Sequence, residues 1–281
     1  MALHKETFIT RSLSAIVFVV FLLGAILYNY TSFTLLFFIV SLIALKEFMH
    51  ISNKLGAKPY QKTAYVLAII LYTLNMNGNL ISTAWPDVNL FGSTFVIVPF
   101  VILAAALFDK RESAFNNALF TILGLIYAVC PFILLNKCVI FKEEAAFVYN
   151  PMLLLGTIFI IWINDTFAYI GGSFFGKHKM IARISPGKTW EGTVIGVVLA
   201  FAVSFSFKFF LHSPYPNLWP VLGLFVPILA TLGDLVESML KRKAGVKDSG
   251  NLMPGHGGAL DRFDSLIFVS PFLFALLQII A

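Results

Sequence analysis

Charge is scarce in this chain. Only 12% of its 281 residues are charged, while 59% are hydrophobic. A soluble domain of this size is about a quarter charged, because water must wet its surface. So few charges cannot cover a water-exposed globule, and lipid has to cover it instead. One membrane-embedded unit therefore fits better than two soluble domains. Cysteine is nearly absent. Cys130 and Cys138 lie eight apart, lack the paired spacing of a zinc or redox motif, and read as small apolar fillers. Common nucleotide and hydrolase signatures are missing: there is no GxxxxGK[ST], no GxGxxG after a strand and no GxSxG elbow. Basic residues interleaved with aromatics are missing too, so no nucleic-acid partner is expected.

Long apolar runs are plentiful. A helix crossing the roughly 30 Å hydrocarbon layer needs about 20 largely apolar residues. Nine stretches meet that length approximately: 9–29, 32–50, 63–82, 90–108, 116–136, 152–172, 190–211, 218–240 and 263–280. The first is too long for a signal-peptide core and no clear cleavage site follows it, so it reads as a retained span. The weakest is 63–82, whose end is crowded by Asn75, Asn77 and Asn79. The fold expected is all-α: a polytopic transmembrane helical bundle of about nine spans.

The charge map orients the bundle. With the N-terminus cytoplasmic, all but Lys137, Lys142 and Lys208 of the 20 basic residues fall on the cytoplasmic side. That bias is what the positive-inside rule demands. The C-terminus is then external. The net charge of +6 needs no further cause than attraction of Lys and Arg to anionic membrane lipids.

The two longest cytoplasmic connections follow spans six and eight. The chain accordingly divides into residues 1–150, holding spans one to five, and residues 151–281, holding spans six to nine with two substrate loops. On span eight, Asp234, Glu237, Ser238 and Lys241 stand at i, i+3, i+4 and i+7, on one face of a helix. Such a stripe cannot face lipid and must line the interior or a wet cavity. Interhelical polar glue would explain hydrogen-bonding side chains there, but two carboxylates call for a divalent cation or a basic loop. The loop that follows contains Arg242, Lys247, Asp248, His256, Gly257 and Gly258, then Asp261, Arg262 and Asp264 as span nine begins. Its glycines permit a sharp turn whose N–H groups suit phosphate oxygens. Asp261 and Asp264, at i and i+3, are hard oxygen ligands of the kind Mg²⁺ takes beside substrate phosphates, although carboxylates at a helix start are also ordinary caps.

Span six places Asp165 at membrane depth, near Trp162 and Asn164. After it comes a loop with Lys177, His178, Lys179, Arg183, Ser185, Lys188 and Thr189, in which Ser185–Thr189 reads as a turn leading into span seven. A basic, glycine-rich loop between helices is a natural polyphosphate cradle. Neither Ser185 nor Ser238 has a base and an orienting group beside it. Glu47, next to Lys46, reads as one half of a local ion pair.

The stretch Ser238 to Asp264, S-x-x-K-R-x4-K-D…P-G-H-G-G-x-x-D-R-x-D, resembles the signature of the phosphatidate cytidylyltransferases, or CDP-diacylglycerol synthases. The block from Asp165 through FGKHK to SPGKTWEG is similar to the region just upstream in that family. Residues 1–150 match mainly in span pattern, and Gly187 stands where family members vary, often with Lys. The resemblance implies a multi-pass enzyme of the bacterial inner (cell) membrane, homodimeric and Mg²⁺-dependent, that uses CTP and phosphatidic acid. It also implies that acidic residues of the two blocks hold the metal, with or without a second cation. On that basis Asp234, Lys241, Asp261 and Asp264 are the catalytic candidates, and Asp234, Asp261, Asp264, Asp165 and Glu237 the metal ligands. Substrate contacts fall to Lys177, Ser185, Lys188, Thr189, Ser238, Arg242, Lys247, Asp248, His256, Gly257, Gly258 and Arg262. A transporter with an intramembrane carboxylate path, and a nucleotidyltransferase acting on another lipid phosphate, are the alternatives. A non-catalytic scaffold would leave the polar block at 238–264 unexplained.

Overall fold

The structure, a computed structural model, describes residues 5–76, 90–143, 146–252 and 257–280. Asn77, Asn79 and His256, all singled out above, lie outside the described residues. Helices overlap all nine apolar stretches. They are α1 (Lys5–Tyr28), α2 (Tyr30–Lys54), α3 (Gln61–Met76), α4 (Leu90–Ala106), α5 (Ala114–Ala128), α6 (Cys130–Cys138), α7 (Met152–Phe175), α8 (Trp190–Ser204), the short α9 (Phe207–Phe210), α10 (Trp219–Lys243) and α11 (Ala259–Ile280). Among the described residues, six helical segments, 30–54, 114–138, 152–175, 190–210, 216–243 and 259–280, are long and apolar enough to cross a membrane. Many large apolar side chains point outward, among them Val20, Phe21, Phe100, Val198 and Phe272. Outward apolar surface on this scale is what lipid covers. The chain is a helical integral membrane protein.

Among the described residues, two small antiparallel hairpins connect helices of this mostly helical chain. Strand β1 (Ile140–Glu143) pairs with β2 (Ala146–Tyr149), and β3 (Lys179–Ile181) with β4 (Ser185–Thr189). The segment Ser185–Thr189, read above as a turn, is thus a strand. It satisfies its backbone groups against Lys179–Ile181 and not by folding on itself.

Local chemistry explains the helix boundaries. Asn29 alone separates α1 from α2. Its side chain accepts from Ser32 N at 2.8 Å while Ser32 Oγ accepts from Asn29 N, a reciprocal cap that restarts the helix. Pro131 lacks an N–H, and the helix breaks at Val129 between α5 and α6. Helices α7 and α8 approach most closely. A Cβ on Gly192 would lie 2.5 Å from Ala168 O, and one on Gly196 2.7 Å from Asn164 O, so only glycine permits this spacing. One apolar core joins the first and second halves of the chain, from Leu22 and Phe33 to Leu273 and Leu277. Within it, Asn136 Nδ2 donates to Tyr72 Oη while its Oδ1 accepts from Thr34 Oγ1, both at 2.8 Å, tying α2, α3 and α6 together. Phe263 anchors the start of α11: its ring lies 5.8 Å from Phe18, 6.0 Å from Phe37 and 5.8 Å from Phe132.

Candidate active site

A cavity of about 460 Å³ opens where α1, α7, α10 and α11 meet. Its apolar lining includes Phe18, Leu22, Ile158, Ile161, Trp162 and Phe263. The charged lining residues are Asp165, Asp234, Lys241, Asp248, Asp261, Arg262 and Asp264. Residues from three predicted blocks therefore share one space.

Helical periodicity on α10 does what the spacing predicts. Asp234 accepts from Ser238 Oγ at 3.1 Å, and Lys241 Nζ pairs with Glu237 one turn earlier. Lys241 also reaches Asp261 Oδ1 on α11 at 2.6 Å, which bridges the two helices. All three side chains are nearly sealed, with exposures of 11% for Lys241, 1% for Glu237 and 8% for Asp261. Lys188 Nζ of β4 pairs with Asp234 Oδ2 at 2.5 Å.

Three carboxylates, Asp234, Glu237 and Asp264, offer oxygens within 4.8 Å of one another. Both Glu237 oxygens are buried without a hydrogen-bond donor other than the Lys241 ion pair. With Lys241 as the one cation on Glu237, a second cation would offset the desolvation of the grouped carboxylates. The donor set is all oxygen, which suits a hard divalent ion such as Mg²⁺. Asp165 and Asp261 stand outside this triplet. Asp165 lines the cavity and takes a 3.2 Å hydrogen bond from Asn164 Nδ2. Asp261 is held differently: its Oδ2 accepts from Ser249 N and Gly258 N at 2.7–2.8 Å and lies 2.8 Å from Ser249 Oγ.

The remaining predicted residues take several places. Thr189 is buried as the N-cap of α8, its Oγ1 accepting from Gly192 N. Ser185 is half-buried in β4. Arg242 Nε donates to Ile184 O at 3.3 Å and so ties the β3–β4 hairpin to the end of α10. Lys177 and Lys247 are exposed. Glu191 closes the base of the hairpin: it accepts from Lys177 N and His178 N and lies 2.6 Å from His178 Nδ1. Gly257 has φ +81°, a conformation glycine adopts without strain. The Gly258 N–H, expected to face phosphate, is already held by Asp261.

Sequence reasoning missed Glu47. It makes no local pair with Lys46. Its buried carboxylate crosses to the far end of the chain, accepting from Ser249 Oγ at 2.8 Å and from Ala259 N and Leu260 N at 2.9 Å. The one available signal was a carboxylate inside an apolar helix, which is costly without a partner.

Sequence comparisons agree with this geometry. The model of the Cytidylyltransferase family matches residues 9–280, and the chain belongs to that family. It is 34% identical over 270 residues to the phosphatidate cytidylyltransferase of Staphylococcus haemolyticus, covering 95% of this chain and 98% of that one. The enzyme of the same name from Staphylococcus aureus is similar to the same extent. That of Bacillus subtilis is 49% identical over 121 residues, 43% of this chain and 45% of its own.

Proposed function

We propose that this chain transfers the cytidylyl group of CTP to phosphatidic acid, releasing pyrophosphate and forming CDP-diacylglycerol. The observation that carries the reading is the gathering of Asp234, Glu237 and Asp264, with Asp234, Asp264 and Lys241 lining one cavity and Lys188 paired to Asp234. An anionic cluster threaded with cations is what two phosphorylated substrates and a metal require. The carboxylates are grouped, and not strung along the bundle as an ion path would need.

In the proposed reaction a phosphatidate oxygen attacks the α-phosphorus of CTP in line. A new P–O bond forms as the bond to the β-phosphate oxygen breaks, and pyrophosphate leaves with that electron pair. The nucleophile is ionised near neutral pH, so no strong base is needed. Catalysis then rests on positioning and charge neutralisation. Asp234, Glu237 and Asp264 are the proposed holders of Mg²⁺, which would neutralise phosphate oxygens when bound. Lys188 moves its charge from Asp234 to a substrate phosphate, while Lys177, Lys247 and Arg262 bring further positive charge to the rim. Lys241 keeps Glu237 and Asp261 in register, and Arg242 holds the hairpin that carries Lys188.

The same reading puts nine spans in the membrane, with the N-terminus and the cavity mouth at the cytoplasmic face. The distribution of Lys and Arg supports that orientation. Assembly as a homodimer follows from the family resemblance, and light scattering of the detergent-solubilised protein checks it. The decisive assay incubates purified protein with CTP, phosphatidate and Mg²⁺. Pyrophosphate and CDP-diacylglycerol are expected together. Absence of both, with folded protein, refutes the reading, and a different cytidylylated product would reassign the lipid substrate.

A further inference from the structure

We propose that Glu47 is a positioning residue for this reaction: from α2 it fixes the first turn of α11 and, through Ser249, the carboxylate of Asp261. The inference rests on the reading of Asp261 as a member of the active site. A helix begins with orphan N–H groups, usually satisfied by the side chain just before it. At α11 that residue is Gly258, which has no side chain. The cap comes instead from Glu47, more than 200 residues away in sequence. A carboxylate is also the right charge for the positive end of a helix.

The surrounding backbone is shaped to admit it. A Cβ on Gly258 would lie 2.3 Å from both Glu47 oxygens, and one on Gly250 would lie 2.3 Å from Oε1. Glycine at both positions leaves room for the carboxylate, which is 7% exposed. Ser249 Oγ sits 2.8 Å from both Glu47 Oε2 and Asp261 Oδ2, and its single proton is shared between the two acids. Asp261 in turn holds Ser249 N and Gly258 N. The two acids thus fasten Ser249 to the start of α11. Phe263, packed on Phe18, Phe37 and Phe132, keeps α11 in place independently. Loss of Glu47 therefore loosens one turn without detaching the helix.

The test compares Glu47→Gln, Ser249→Ala and the double variant in the purified full chain. Gln keeps the shape but presents an N–H₂ where a donor already points. Outer residues that orient a metal site typically change affinity or activity by about 10–100-fold. Glu47→Gln should lower kcat in that range with KM for CTP little changed. It should also weaken Mn²⁺ binding, read by electron paramagnetic resonance, by about tenfold. The double variant should be no worse than Glu47→Gln, because both act through one link. If Glu47→Gln does not accumulate, Gly258→Ala displaces the same carboxylate and should give the same Mn²⁺ shift. Parental kcat and Mn²⁺ affinity in a folded Glu47 variant overturn the inference. Asp261→Asn separates the two readings. Full activity there defeats the assignment of Asp261, whereas an inactive Asp261→Asn beside a normal Glu47→Gln defeats only the role of Glu47.

Discussion

Replacing Lys241 by Met should destabilise the protein far more than losing a surface lysine. Lys241 Nζ stands between Glu237 and Asp261, and all three side chains are at most 11% exposed. Asp261 would keep its hydrogen bonds from Ser249 and Gly258. Glu237 would keep no donor among the described residues. Removing one partner of a buried ion pair costs about 3–5 kcal/mol, because the other charge stays buried and uncompensated. The same logic says that removing both charges together should cost much less. Lys241→Met with Glu237→Gln should therefore recover more than half of the lost stability while remaining inactive. Unfolding by SDS in mixed micelles, followed by tryptophan fluorescence, measures both variants. A single variant within about 1 kcal/mol of the parent, the ceiling for an exposed pair, would refute the reasoning.

Lys188→Ala should raise KM for CTP by tenfold or more while membrane insertion and stability stay near parental, since its partly exposed pair with Asp234 is worth about 1 kcal/mol or less. Steady-state kinetics on membranes with matched protein levels checks it. Gly156→Ala should do the reverse. Its Cβ would lie 2.3 Å from the Trp219 ring, so overpacking should cost about 1–3 kcal/mol in detergent unfolding while activity per folded molecule is kept.

Much of the site was legible because it obeys helical periodicity. The Asp234, Glu237, Ser238 and Lys241 stripe needed only the i, i+3, i+4, i+7 rule, and the structure returns its internal contacts. Apolar length likewise found the helices, since lipid leaves few other ways to satisfy a backbone. What stayed hidden depends on long-range pairing. Ser185–Thr189 carries Pro and Gly and looks like a turn until Lys179–Ile181 is placed beside it. Spacing could not tell that Asp261 would be spent on Lys241, Ser249 and Gly258 while Glu237 completed the acidic triplet. Glu47 was misread for the same reason. No local pattern says which of two distant helices will bring donors to a carboxylate.

The cap on α11 has a consequence for biogenesis. A ribosome adding about 5–20 residues per second completes α2 roughly 10–40 s before Ala259 and Leu260 are made. Through that interval the Glu47 side chain has none of the three donors that later surround it. A carboxylate inside an apolar helix is costly without partners, so this one waits for the end of the chain to be made before its donors are complete. The arrival of the last helix is therefore what supplies the backbone partners of a carboxylate made more than 200 residues earlier.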